Sequence, residues 1–406
     1  MNSEPRPLNS ERLDKKIFGT LFFSLLASIT GVGIVVPLLP VYARQSGASG
    51  LYIGLIFGAF SLSRTFLLPL FGRWSDRRGR KPYIIAGLLA YALVSVAFIL
   101  FTEVSHLIII RFFQGVASAM IMPVIQAYVG DMTPPGREGL VMGLFNMSLF
   151  FGLSLGPVIG GVINDHFNMR AAFVCMGMLA LVGAGLSFWL LPPTKSEAVL
   201  RRGRPPLAWG AIIGDRIILG LFSFRFCYTA CIGIILGFVP VMADLELQLN
   251  SSQIGVVVML GVLVSGVVHA PMGYLADRIS RRAMILVGGT LVCIAVLVFQ
   301  WASAFSHLLA VSVVFGLGGG IAMPALMAVC VLKGHQTESM GSVMAVLTVA
   351  HSLGMLVGAL LAGLIMDWFH LDVAFSFGAA CMLLGLLLFY ALVSGVDIDP
   401  RRAPGT

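Results

Sequence analysis

Twelve runs of some twenty or more apolar residues, parted by short polar stretches, limit what this chain can become more than any other feature. They lie near residues 17–43, 50–74, 82–101, 106–130, 138–164, 170–191, 214–242, 251–276, 283–304, 307–332, 340–369 and 373–394. A bilayer's hydrocarbon core is crossed by a helix of about 20 apolar residues. There every backbone N–H and C=O must be paired within the chain, and these runs are too long for barrel strands. They read as membrane-spanning helices. Composition agrees: 58% of the 406 residues are hydrophobic and 11% charged, against about 25% charged in a soluble domain. The 47 glycines suit helices that approach closely in lipid.

The net charge is +8, but the basic residues cluster in short segments between apolar runs, so the balance points to a membrane and excludes nucleic acid as the partner. With the N-terminus inside, the inner segments hold Arg6, Arg12, Lys15, Lys16, Arg73, Arg77, Arg78, Arg80, Lys81 and Arg137. They also hold Arg278, Arg281, Arg282 and Lys333, whereas the outer loops hold Arg44 and Arg170. Positive charge stays on the cytoplasmic side, so both termini are expected there. The polar start, Met1 to Lys16, makes the first run a span rather than a cleaved signal. The six cysteines all fall inside apolar runs with no CxxC spacing and read as buried thiols, not a metal or redox site.

Residues 192–213 are polar and proline-bearing, with Lys195, Arg201, Arg202 and Arg204, and read as a cytoplasmic linker. The expected organisation is a cytoplasmic segment (1–16), a six-helix bundle (17–191), the linker, a second six-helix bundle (214–396) and a tail (397–406). The halves repeat. Gly33-Ile34 recurs as Gly233-Ile234, Pro40-Val41 as Pro240-Val241, and Asp76-Arg77 as Asp277-Arg278. Met122-Pro123 recurs as Met323-Pro324; Gly152, Gly156, Gly161 and Asp165 return at Gly354, Gly358, Gly363 and Asp367. Such a series in one order means duplication. Two parallel halves related by an axis along the membrane normal place a substrate site between them and can rock about it.

Three motifs carry a resemblance. Gly72-Arg73-Trp74-Ser75-Asp76-Arg77-Arg78-Gly79-Arg80-Lys81 reads as a tight turn whose glycines allow the return. It resembles the loop signature of the major facilitator superfamily; the second copy has Ser280 where the first has Gly79, as a degenerate repeat would. Arg111 to Gly115 resembles that superfamily's RxxQG motif. Gly152, Gly156, Pro157, Gly160 and Gly161 resemble its gxxxGPxxGG motif, associated with twelve-span drug:proton antiporters. The resemblance, from about Ile17 to Val396, implies an all-α membrane protein of twelve helices in two pseudo-symmetric six-helix bundles. It also implies a cytoplasmic gate at Gly72, Asp76, Arg77, Gly79, Arg80 and Asp131, in which Asp76, Arg80 and Asp131 latch the halves in the outward-facing state.

Ionisable groups inside the membrane are costly and mark function. Arg64, Arg111 and Arg225 lie in apolar runs, while every acidic residue falls near a run's end or in a loop. Drug antiporters of this superfamily commonly carry a buried carboxylate, and this chain departs from them. Arg225 lies about ten residues into its run, roughly 15 Å at the helical rise. Arg225, with Arg64, is a candidate for holding a substrate anion, or each arginine satisfies carbonyls or reaches an interface. His269 and His351 are candidates for proton coupling, and the resemblance adds Arg111, for which it implies a structural or proton-relay role. Tyr228, Gln126, Asn146 and Thr348 could add polar contacts.

The expected function is proton-coupled export of an amphipathic or drug-like small molecule, anionic if the arginines bind it, by a monomer in a bacterial inner membrane. An organic-anion symporter or facilitator is the alternative within transport, and a membrane sensor the alternative outside it. No enzyme motif and no cofactor site stands out.

Overall fold

The computed structural model describes residues 14–133, 138–192, 214–337, 340–396 and 398. Most of the expected N-terminal segment, linker and tail lie outside them. The described residues form twelve long helices and no strand: α1 (Lys15–Gln45), α2 (Gly50–Arg78), α3 (Arg80–Leu100), α4 (Val104–Asp131), α5 (Glu138–His166) and α6 (Met169–Leu190). Then follow α7 (Arg216–Leu245), α8 (Ser251–Ala276), α9 (Arg281–Val298), α10 (Phe305–Gln336), α11 (Met340–Trp368) and α12 (Leu371–Val393). All twelve are long and apolar enough to cross a membrane. The chain is an integral, multi-pass membrane protein.

Helices overrun the apolar runs where polar groups can close their ends. α1 begins at Asp14, whose carboxylate accepts from the Lys16 and Ile17 amides at 2.9 and 3.2 Å. In the second half Asp215 opens α7 in the same way, on Ile217 and Ile218. Each takes up N–H groups that no helical carbonyl can reach. At the other end of each half, a cation closes the last helix: Lys81 donates to the Phe188 and Leu191 carbonyls, and Arg282 to those of Val393 and Val396. A cation there satisfies orphan carbonyls and meets the negative end of the helix dipole.

The chain packs as two compact units. One comprises the described residues of Met1–Gly47, Ala59–Val199 and Asn250–Met259; the other comprises those of Ala48–Gly58, Leu200–Leu249 and Leu260–Thr406. The first turns of α2 thus belong with the second unit, and those of α8 with the first. Glycine sets the closest helix pairs. In the first unit a Cβ on Gly156 of α5 would stand 2.6 Å from Gly33 Cα and Thr30 O of α1. In the second, a Cβ on Gly358 of α11 would stand 2.6 Å from Ala230 Cα of α7. Backbones this close gain dispersion that larger side chains would forbid.

Candidate functional site

In the second unit α7 carries Arg225 nine residues past its first residue, between the buried Phe224 and the half-buried Phe226. The guanidinium donates through Nη1 to Met323 Sδ on α10 and through Nη2 to His351 Nδ1 on α11, at 3.2 Å. Arginine has donors alone, so Nδ1 accepts and the ring's hydrogen sits on Nε2, the neutral tautomer. Arg225 Nε is buried without a partner. Tyr228, one turn on, is 6% exposed and stacks between Phe224 and Phe315, with centroids 6.5 and 6.2 Å away. His269 of α8 lies within electrostatic reach of Arg225. Three sequence candidates, His351, Tyr228 and His269, thus gather around the guanidinium of a fourth. A thioether is a weak acceptor, and among the described residues no carboxylate contacts Arg225. The arrangement is a cation seated on soft, neutral partners, suited to receiving an anion.

In the first unit Arg64 of α2 donates to Met122 Sδ of α4 at 3.0 Å, and its Nε is also buried and unpartnered. Met122 and Met323 are repeat mates, each preceding the matched proline. Arg111 is different. It is 2% exposed, lies 4.6 Å from the Phe60 ring centroid, and donates to Gln114 Oε1 at 2.7 Å. Gly115 follows because a Cβ there would run into Ser63 Oγ and Phe60 O. Arg111 therefore ties α4 to α2. Gln126 and Asn146 are exposed on α4 and α5, Gln126 one turn past Met122. Thr348 bonds back to its own helix at Met344 O.

The loop between α2 and α3 corrects two readings. α2 runs through Gly72 to Arg78, and a Cβ on Gly72 would meet nothing within 4 Å, so Gly72 makes no turn. The reversal rests on Gly79 alone, at φ 91°, where a side chain would be strained. Nor is Ser280 a degenerate glycine. α8 ends earlier, at Ala276, and Ser280 at φ −61° caps α9 by accepting from the Ala283 amide. Past the turn, Arg80 bridges Asp76 and Asp131, reaching the latter through Nε at 3.0 Å, and donates to Ser75 Oγ at 3.0 Å. In the second unit Arg281 lies 3.5 Å from Asp277 and bonds the Ala276 carbonyl at 3.0 Å and the Ile398 carbonyl at 3.4 Å. The residue matching Asp131 there is Leu332.

The α5 motif is a packing surface. Cβ atoms on Gly152, Gly156 and Gly160 would each press into α1, at Ile29, Gly33 and Ile34, and one on Gly161 would press into Ser251 of α8. The Pro157 carbonyl region receives Gly255 in the same way.

Twelve apolar helices, duplicated halves and a half-buried cation between neutral partners fit a membrane transporter. Comparison with known proteins agrees. The profile of the Major Facilitator Superfamily matches residues 21–245 and 225–405, and the chain belongs to that family, whose members are transporters and not enzymes. It is 29% identical to multidrug resistance protein 2 of Bacillus subtilis over 92% of this chain and 94% of that one. It is 28% identical to the quinolone resistance protein NorA of Staphylococcus aureus, over 53% of this chain and 58% of that one. Among solved structures, the nucleoside transporter NupG superposes with a TM-score of 0.80 at 11% identity, covering 93% of this chain and 99% of that one. The human organic anion transporter MFSD10 superposes at 0.65 with 18% identity, covering 95% and 100%. These two share the fold.

Signals missed in the sequence are the thioether seats and the closing cations Lys81 and Arg282. The recurrence of Met-Pro at 122 and 323 was the available clue to the first.

Proposed function

We propose that this chain exports amphipathic, drug-like small molecules from a bacterial cell in exchange for protons, by alternating access, as a monomer. The halves 17–191 and 214–396 act as the two moving bundles, and both termini lie in the cytoplasm. The observation that carries the reading is the end-to-end similarity to a Bacillus subtilis protein named for multidrug resistance. The α5 glycines that seat α5 on α1, in a motif resembling that of drug:proton antiporters, support it.

Arg225 and Tyr228 form the substrate seat, a cation beside an aromatic stack, and His351 and His269 carry the proton. Among the described residues every carboxylate stands within the last or first turn of a helix or beyond it, so no acid waits mid-membrane for a lipophilic cation. Arg225 instead favours compounds with a carboxylate, sulfonate or phosphate. On the cytoplasmic side Asp76, Arg80 and Asp131 hold the gate, with Arg77 in the same turn.

One contact favours a second reading, uptake of an organic anion with a proton. A proton on His351 would set two cations side by side, break the bond to Arg225 and draw an anion in. Proton and anion would then bind together, which is the linkage of a symporter. The test is accumulation of fluorescent lipophilic dyes in inside-out vesicles. The proposal expects uptake into the vesicles under an imposed acid lumen and its collapse with a protonophore. Uptake indifferent to the protonophore would remove the proton from the scheme.

A further inference from the structure

Two carboxylates that the transport scheme leaves unused occupy equivalent places in the repeat. Asp165 is the second-last residue of α5 and Asp367 the second-last of α11. Neither serves its own helix. Asp367 accepts from the Gly50 amide at 2.6 Å and the Leu51 amide at 2.8 Å, the first two N–H groups of α2. Asp165 accepts from the Ser251 amide at 2.9 Å and the Ser252 amide at 2.7 Å, the first two of α8, and from Ser252 Oγ at 2.5 Å. Asn164 adds a bond from Nδ2 to Ser251 Oγ at 2.8 Å. The local caps leave those amides open: Asn250 and Gln253 satisfy each other's N–H groups at the start of α8, and Ser49 faces Tyr52 at the start of α2.

The backbone approach at both joints is made by glycine. A Cβ on Gly363 would run into the Gly50 carbonyl, and one on Gly54 into Ala359 and Leu360. On the other joint, Gly161 and Gly255 are hemmed by Ser251 and Pro157. A carboxylate on two helix-initial amides gains charge-assisted bonds and the positive end of the dipole together. Each joint binds a helix of one sequence half to a helix of the other, at the end away from the Arg80 latch.

We propose that Asp165 and Asp367 are paired positioning residues of the transport cycle: borrowed helix caps that hold the outer ends of α8 and α2 shut and must let go for the outward-open state to form. Each closes with the α5 or α11 glycines as its hinge seat. The α8 joint has four bonds and the α2 joint two, so α2 parts first.

The test uses full-length protein in proteoliposomes with Asp367→Asn, Asp165→Asn and Ser252→Ala. The readouts are labelling of Ile53→Cys, a residue 0% exposed at the outer end of α2, by an impermeant maleimide, and hydrogen exchange at the Gly50, Leu51, Ser251 and Ser252 amides. Asp367→Asn is expected to speed labelling and exchange at α2 by about five- to tenfold. Asp165→Asn does the same to exchange at α8, and Ser252→Ala gives a smaller rise. A shifted cycle also moves half-saturation by substrate in opposite directions at the two faces, whereas mere loosening weakens both. Unchanged labelling and exchange in folded Asp367→Asn protein, or equal weakening at both faces, would overturn the proposal.

Discussion

The two units share a scaffold and differ in where they place charge. Asp14 and Asp215, Lys81 and Arg282, Gly156 and Gly358 do the same work twice. At the α2–α3 loop the first unit builds a closed triad, Asp76, Arg80 and Asp131, while the second, with Leu332 for Asp131, leaves Arg281 on backbone carbonyls and a long contact to Asp277. Deep in the helices the order reverses. The first unit's Arg111 is shut into Phe60 and Gln114, whereas the second unit's Arg225 meets a histidine and a thioether. Duplication preserved what closes helix ends and lets backbones touch. Divergence gave the first unit the Asp76, Arg80 and Asp131 triad and the second the contact of Arg225 with His351.

The largest expected effect breaks that division. Asp131→Asn takes from Arg80 a charged partner and should lower the transport rate in proteoliposomes about tenfold or more, with expression intact. Asp277→Asn should change it by less than about twofold, because the Arg281 contact is long and exposed. Equal loss in both would mean the two loops share the gate.

The shared scaffold should fail equally in both halves. Gly156→Ala and Gly358→Ala each force a methyl into a neighbouring backbone and should cost about 1–3 kcal/mol, read as loss of thermal stability in detergent. A difference between them well beyond that range would mark one interface as adaptable.

At the turn the halves should diverge again. Gly79→Ala puts a side chain at φ 91° and ψ 153°, a backbone conformation kept almost to glycine, at a cost of about 1–3 kcal/mol, while Ser280→Ala loses a helix cap worth about 1 kcal/mol. Gly72→Ala should be neutral or stabilising by up to about 1 kcal/mol, since it sits inside a helix with open space beside it. Loss of folding in Gly72→Ala would restore it to the turn.

The smallest effect concerns the end of α7, capped by Glu246 where α1 has Ser46. Burial, then the neighbouring Asp372, hold the Glu246 carboxyl above its ordinary range. An acid with a raised folded pKa binds its proton more tightly when folded. It therefore destabilises the protein above that pKa, and the penalty fades as pH falls toward the unfolded value. Glu246→Gln should raise the melting temperature slightly near neutrality and not at acid pH.

Much of this was legible beforehand. Twelve spans follow from apolar length alone, and the repeat followed from matched pairs such as Met122-Pro123 and Met323-Pro324. Arg225 declared itself because a charge in an apolar run needs a reason. Its partners did not, because His351 and Met323 lie on other helices and spacing along α7 says nothing of them. The loop was misread at Gly72 and Ser280 for a local reason. Where a helix stops depends on capping and on how far its polar end can reach water, and α2 and α8 stop at different points of one motif. Asp165 and Asp367 were visible as repeat mates, but the amides they cap belong to helices 86 and 317 residues away.

The most direct test is proton flux in proteoliposomes with an acid lumen, comparing organic anions and lipophilic cations in wild type and Arg225→Ala. The account predicts that wild type releases lumenal protons as anions enter the lumen and that Arg225→Ala loses the anion response while keeping any response to cations. Anion-driven flux that survives Arg225→Ala would contradict it and return Arg225 to the scaffold.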